Sequence, residues 1–169
     1  MVYGDRIDCR TSALFLRRRL SMETISQMFR HLDWANQTLL AALQNAGASG
    51  KPLTLFTHLL NAERVWLTRL QGADSSQLPI WSESDAALCA ELMRQNAEGF
   101  EAFLADAEAS DPDRAVSYKD SRGTPFTNSV RDILLQIALH GQYHRGQINM
   151  QLRQDGYTPV NVDYIMFVR

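Results

Sequence analysis

Cysteine is scarce in this 169-residue chain: Cys9 and Cys89 are the two present, far apart and in neither a CxxC nor a zinc-finger spacing. That disfavours a disulfide framework and a thiolate metal site, and it fits a reducing compartment, so a cytoplasmic location is expected. No apolar run approaches the ~20 residues of a spanning helix, which leaves a soluble protein with no membrane partner as the expectation. Neither sign of charge dominates. With 17 basic and 19 acidic residues the formal net charge is -2, so no extended field for nucleic acid is expected. Internal repeats and low-complexity tracts are missing. So are a GxSxG elbow and an HExxH motif, which disfavours a serine hydrolase and deprives a hydrolytic metal site of its usual glutamate.

The opening segment MVYGDRIDCRTSALFLRRRL has an apolar run, ALFL, too short for a signal-peptide core, and Asp5 and Asp8 interrupt its positive charge. The stretch from Met22 reads as a natural beginning. Residues 1–21 are therefore expected to form a poorly packed N-terminal extension. Residues 22–169 are expected to form one domain, large enough to bury most of its apolar surface in a single core.

From Met22 to about Leu43, residues Ile25, Met28, Phe29, Leu32, Ala35, Leu39 and Leu43 recur at three- and four-residue intervals, the stripe of an amphipathic helix stopped by Gly47. A second helix opens near Pro52, where proline suits a first turn, carries Leu55, Leu59, Ala62 and Trp66 on one face, and closes at Gly72. The third has Ser82 and Ser84 as capping candidates and Leu88, Leu92, Asn96, Phe100 and Phe103 on its inward line. Residues 115–127 alternate around a Gly-containing turn and read as a small hairpin or extended excursion. The fourth helix starts at the Ser129–Asp132 capping pair and runs to Gly156 along Val130, Ile133, Ile137, Gly141, Ile148 and Leu152. The tail VDYIMFVR is apolar enough to pack back. Four helices with one apolar stripe each predict an all-α fold, a four-helix bundle.

Three of the four histidines fall on those stripes. His140 lies three after Ile137 and His144 four before Ile148; His58 lies three after Leu55 and four before Ala62. A lone histidine on an apolar face is usually a satisfied core residue. Three pointing into one interior are different, because each imidazole must lose water and find partners for both nitrogens. A divalent cation resolves that cost by accepting a lone pair from each ring, and three imidazoles leave a coordination position open, as catalytic zinc sites do. The HxxxH spacing by itself is weak evidence; its register and His58 carry the signal. His31, at the margin of the first stripe, reads as an edge or supporting residue rather than a ligand.

Nearby residues are less decisive. Glu63, five after His58, lies roughly 140° around the helix and is expected to face a neighbour or solvent, so no general base stands beside the ligands. That tilts the site towards thiolate activation. Arg145 and Arg153 read as a solvated helix face, with recognition of a carboxylate as the functional alternative. Gln142, Tyr143, Gln147 and Asp163 could each hydrogen-bond an imidazole, and register picks none of them. Gly141 and Gly146 each cost ~1 kcal/mol against alanine inside a helix, which asks for close helix approach or for space beside a ligand. Cys89, near an apolar face, is expected to pack as a hydrophobe rather than act as a nucleophile.

The segments WAN at Trp34 to Asn36, HLLNAERVW from His58, and HGQYHRGQINMQLRQDGYTPVNVDY from His140 to Tyr164 together resemble the DinB family, also called the DinB/YfiT-like group. The resemblance spans residues 22–168, and HxxxHRGQ followed by the G-x-x-P turn is its most specific part. It implies an up-down-down-up four-helix bundle, commonly a homodimer, in which His58, His140 and His144 hold a divalent metal, nickel or zinc, with water or substrate completing the site. It also implies a small-molecule substrate. The better-understood relatives are thiol-dependent enzymes, including transferases that use bacillithiol or mycothiol, and others are described as metal-dependent hydrolases. The expected function is a metal-dependent transferase of a low-molecular-weight thiol. A hydrolase, or a non-catalytic metal-binding protein of the DNA-damage-inducible stress response, is the alternative.

Overall fold

The computed structural model describes residues 9–106 and 109–169, with side chains from residue 22 onward. Its elements are α1 (Cys9–Asn45), α2 (Lys51–Leu70), α3 (Ala86–Ala105), β1 (Ala115–Lys119), β2 (Pro125–Ser129), α4 (Val130–Gln154) and a single turn, α5 (Tyr164–Phe167). The fold is mainly helical, as the four stripes predict. α2 packs on α3 and α4, and α1 packs on the same two helices from the other side.

Helix α1 opens well before Met22. No glycine or proline stands between Gly4 and Gly47, so nothing in the backbone stops a helix in that interval. Gly47, with a φ of 58°, ends it. The expectation that residues 1–21 form a poorly packed extension concerns side chains outside the described residues. Pro52 sits in the first turn of α2, where its missing N–H costs nothing.

Two corrections concern α3. Its cap is Asp85, whose carboxylate accepts the Leu88 N–H at 2.8 Å, rather than Ser82 or Ser84. The inward line is also displaced by one residue at that end: Cys89 is buried and Leu88 is 63% exposed. Cys89, Asn96, Phe100 and Phe103 then follow at helical intervals, a line that the larger Leu88 obscured.

The hairpin pairs β1 and β2 antiparallel, with Val116 opposite Asn128 and Tyr118 opposite Phe126. Arg69 of α2 helps fix it to the bundle: its guanidinium lies 4.6 and 4.8 Å from the centroids of Trp66 and Tyr118, whose rings themselves meet edge to face at 5.1 Å. Ser129 then caps α4 by accepting the Asp132 N–H at 3.1 Å. The tail packs back only in part: Val162 is buried and Phe167 half-buried against His31 and Trp34, while Ile165, Met166 and Val168 stay exposed; just before it, Asn149 clamps Val160 through two hydrogen bonds.

The core has two apolar halves. One gathers Phe29, Leu32, Leu67, Phe100, Ile133 and Ile137; the other gathers Leu39, Leu43, Phe56, Leu60, Ile148 and Leu152. Each such side chain fully buried contributes ~1.5–3 kcal/mol. Along the helices, a buried polar residue falls between the halves on every one of them: Asn36 on α1, Glu63 on α2, Asn96 on α3 and Arg145 on α4.

Candidate metal centre

Helices α2 and α4 form the site. His58 comes from the first half of α2, and His140 and His144 from successive turns of α4, so their side chains meet where those helices pack. One ring nitrogen from each converges to within 4.8 Å of the others. Ring centroids are 4.4 Å apart for His140 and His144, 4.7 Å for His58 and His144, and 5.8 Å for His58 and His140. All three pairs meet edge to face. The triad that the stripes predicted is thus assembled.

The outer nitrogens show how two of these rings are held. His58 Nδ1 lies 3.0 Å from the Ile80 carbonyl oxygen, and His144 Nδ1 lies 2.7 Å from Gln147 Oε1. An oxygen of either kind can only accept, so each Nδ1 carries the proton and each Nε2 keeps its lone pair. This is how histidine ligands are usually oriented towards a metal. Of the four residues that register could not separate, Gln147 takes this role. His140, the least buried of the three, has no hydrogen bond among the described residues.

Electrostatics favour the neutral form of His58 and His140. Burial first, then the neighbouring His144 and His58, push the His140 pKa down to about 4. Burial also lowers that of His58, against the opposing Ile80 hydrogen bond. Imidazoles with converging nitrogens fit a divalent cation: at Zn–N lengths of ~2.0–2.1 Å, tetrahedral ligand nitrogens stand about 3.4 Å apart, so from within 4.8 Å the rings need close by at most about 1.4 Å. Trp81 stacks on His58 at 3.7 Å and 9°, and Tyr143 meets the edge of His144 at 5.1 Å. Both aromatic rings are more than half exposed, so they form the rim of the site.

A family model, the DinB family, matches residues 20–169. The chain belongs to the DinB family. A search of curated proteins finds no match. The three histidines that the DinB resemblance marks as ligands are those brought together by α2 and α4. His31 stands apart from them: its Nε2 donates to the Val162 carbonyl at 2.9 Å, and its ring packs on Trp34, Tyr164 and Phe167.

Beside the triad, the DinB bundle carries a polar network that sequence reasoning missed. Arg145 is 1% exposed, which corrects its reading as part of a solvated face. Its Nη1 donates to Asn36 Oδ1 at 2.8 Å, and Asn36 Nδ2 donates to Glu63 Oε1 at 3.0 Å. Asn96 Nδ2 donates to Glu63 Oε2 at 3.3 Å and to the Leu60 carbonyl at 2.9 Å. Of the two surroundings expected for Glu63, it has the neighbour. Desolvation pushes its pKa up to about 7 despite the Asn36 and Asn96 hydrogen bonds and the Arg145 charge, while desolvation pulls Arg145 down to about 10. Asn36 stands in the WAN segment and Arg145 directly after His144; what a single sequence does not show is that they meet across the bundle. Gly141 makes room for the guanidinium: a Cβ there would lie 3.1 Å from both Nη atoms.

Proposed function

We propose that this DinB protein binds a divalent metal, nickel or zinc, through His58, His140 and His144, and that it is a metal-dependent transferase of a low-molecular-weight thiol. The observation that carries the metal reading is the convergence of three imidazole nitrogens within 4.8 Å, with the His58 and His144 rings each held by an acceptor at Nδ1. When bound, such an ion supplies Lewis acidity at its open position, which stabilises a thiolate or lowers the pKa of water.

The chain's own residues favour the thiol. Among the described residues no Asp or Glu joins the histidine cluster. Glu63, the nearest candidate base by sequence, is occupied at both carboxylate oxygens by Asn36 and Asn96. Water activation would lack a general base, whereas a thiol of pKa near 8.5 needs little help to ionise once its anion is stabilised. Trp81 and Tyr143 offer apolar surface to an electrophile at the rim. A small-molecule substrate, homodimeric assembly and a cytoplasmic location belong to the same proposal.

The test is turnover. Metal-loaded protein incubated with bacterial low-molecular-weight thiols and an electrophile is expected to form the thioether, with activity lost in His140→Ala. Ester or amide hydrolysis without thiol consumption would instead favour the hydrolase. No reaction of either kind would leave a metal-binding module.

A further inference from the structure

Arg145 is unusual on energetic grounds. A fully buried guanidinium normally sits against a carboxylate, because burying an unpaired charge is costly. Arg145 is 1% exposed and takes part in none of the ion pairs among the described residues. Glu63 reaches it only through Asn36. Its Nε donates to Gln142 Oε1 at 3.3 Å and its Nη1 to Asn36, while Nη2 has no partner among the described residues. The side chain nevertheless borders an opening.

That opening is a cleft of about 410 Å³ between α1, α4 and α5, bordered by Arg145, Gln142 and the His31 ring and walled mainly by Met28, Leu139 and Tyr164. The His31 bond to Val162 anchors the segment that carries Tyr164. Gln142 spends its oxygen on Arg145, so its amide nitrogen remains as a second donor beside Nη2. Two donors at one end and apolar walls beyond them are the complement of a planar carboxylate with an apolar tail. A phosphate would bring more charge and more acceptors than these two groups satisfy. The cleft is distinct from the triad, because consecutive residues His144 and Arg145 leave α4 ~100° apart.

We propose that this cleft binds a small organic monocarboxylate, its oxygens on Arg145 Nη2 and the Gln142 amide and its tail against Met28, Leu139 and Tyr164. Binding is independent of the metal centre. The probe is 3-phenylpropionate, titrated calorimetrically into full-length protein, with 3-phenylpropionamide as the uncharged control.

The acid is expected to bind at one site, with the amide at least about tenfold weaker, since it loses the charge-assisted contact. Chelation of metal leaves the affinity unchanged. In NMR spectra the acid, but not the amide, shifts the Arg145 Nε–H signal. Leu139→Glu, on a wall residue 64% exposed and so tolerant of substitution, places a repelling charge at the entrance and weakens the acid at least about tenfold without unfolding the protein. Equal binding of acid and amide, no saturable binding of the acid, loss of binding on chelation, or an indifferent Leu139→Glu variant would each overturn the proposal.

Discussion

The histidines were legible because helical register is written in the sequence: Ile137 to His140 and His144 to Ile148 put both rings on the buried line, and His58 joined them from α2. Which nitrogen each presents was not, since it depends on Ile80 O in a loop and on the rotamer of Gln147. The arrangement predicts a spectroscopic outcome. In metal-free protein, long-range proton–nitrogen NMR is expected to show His58 and His144 as the Nδ1–H tautomers, with His140 titrating near pH 4. Nε2–H tautomers, or a His140 midpoint near the ordinary value of about 6.5, would contradict the geometry. Glu63 and Arg145 were less legible, because a charged residue is exposed by default and its buried partners lie on other helices. Burial raises the folded pKa of Glu63 to about 7, above its ordinary 4.5. Its contribution to stability is therefore fully present below the unfolded value and is lost as pH rises through the folded one. Urea denaturation of metal-free protein is expected to show wild type losing stability relative to Glu63→Gln between about pH 4.5 and about pH 7. Parallel curves would mean that the carboxylate is not desolvated.

At the level of the helices, the apolar stripes forecast α2 and α4 well and the first end of α3 less well. There Leu88 and Cys89 are both apolar, and only packing against Thr57, whose hydroxyl lies 3.3 Å from Cys89 Sγ, decides which turns in. The two glycines of α4 separate the reasons that sequence left open. A Cβ on Gly146 meets nothing within 4 Å, whereas one on Gly141 crowds a guanidinium already tied to Asn36. Gly146→Ala is expected to stabilise the fold by up to ~1 kcal/mol through helix propensity, and Gly141→Ala to fall short of that or to destabilise. Denaturation midpoints check both, and equal gains would show that Gly141 is not reserved for Arg145.

Over the whole molecule, a polar layer drawn from all four long helices lies between two apolar halves, and the histidine triad stands beside it on α2 and α4. The general architecture was readable because each helix has one face to bury. The layer was not, because Asn36, Glu63, Asn96 and Arg145 are far apart in sequence and acquire a common meaning only when the helices pack. No helix among the described residues is long and apolar enough to cross a membrane. Elemental analysis of the purified protein shows whether the triad holds a metal. About one nickel or zinc ion per chain is expected, reduced at least about tenfold in His58→Ala, His140→Ala or His144→Ala, because each removes one of three ligands. Folded wild-type protein that takes up no divalent metal when supplied with it, or variants that retain the full complement, would show that the triad is not a metal site.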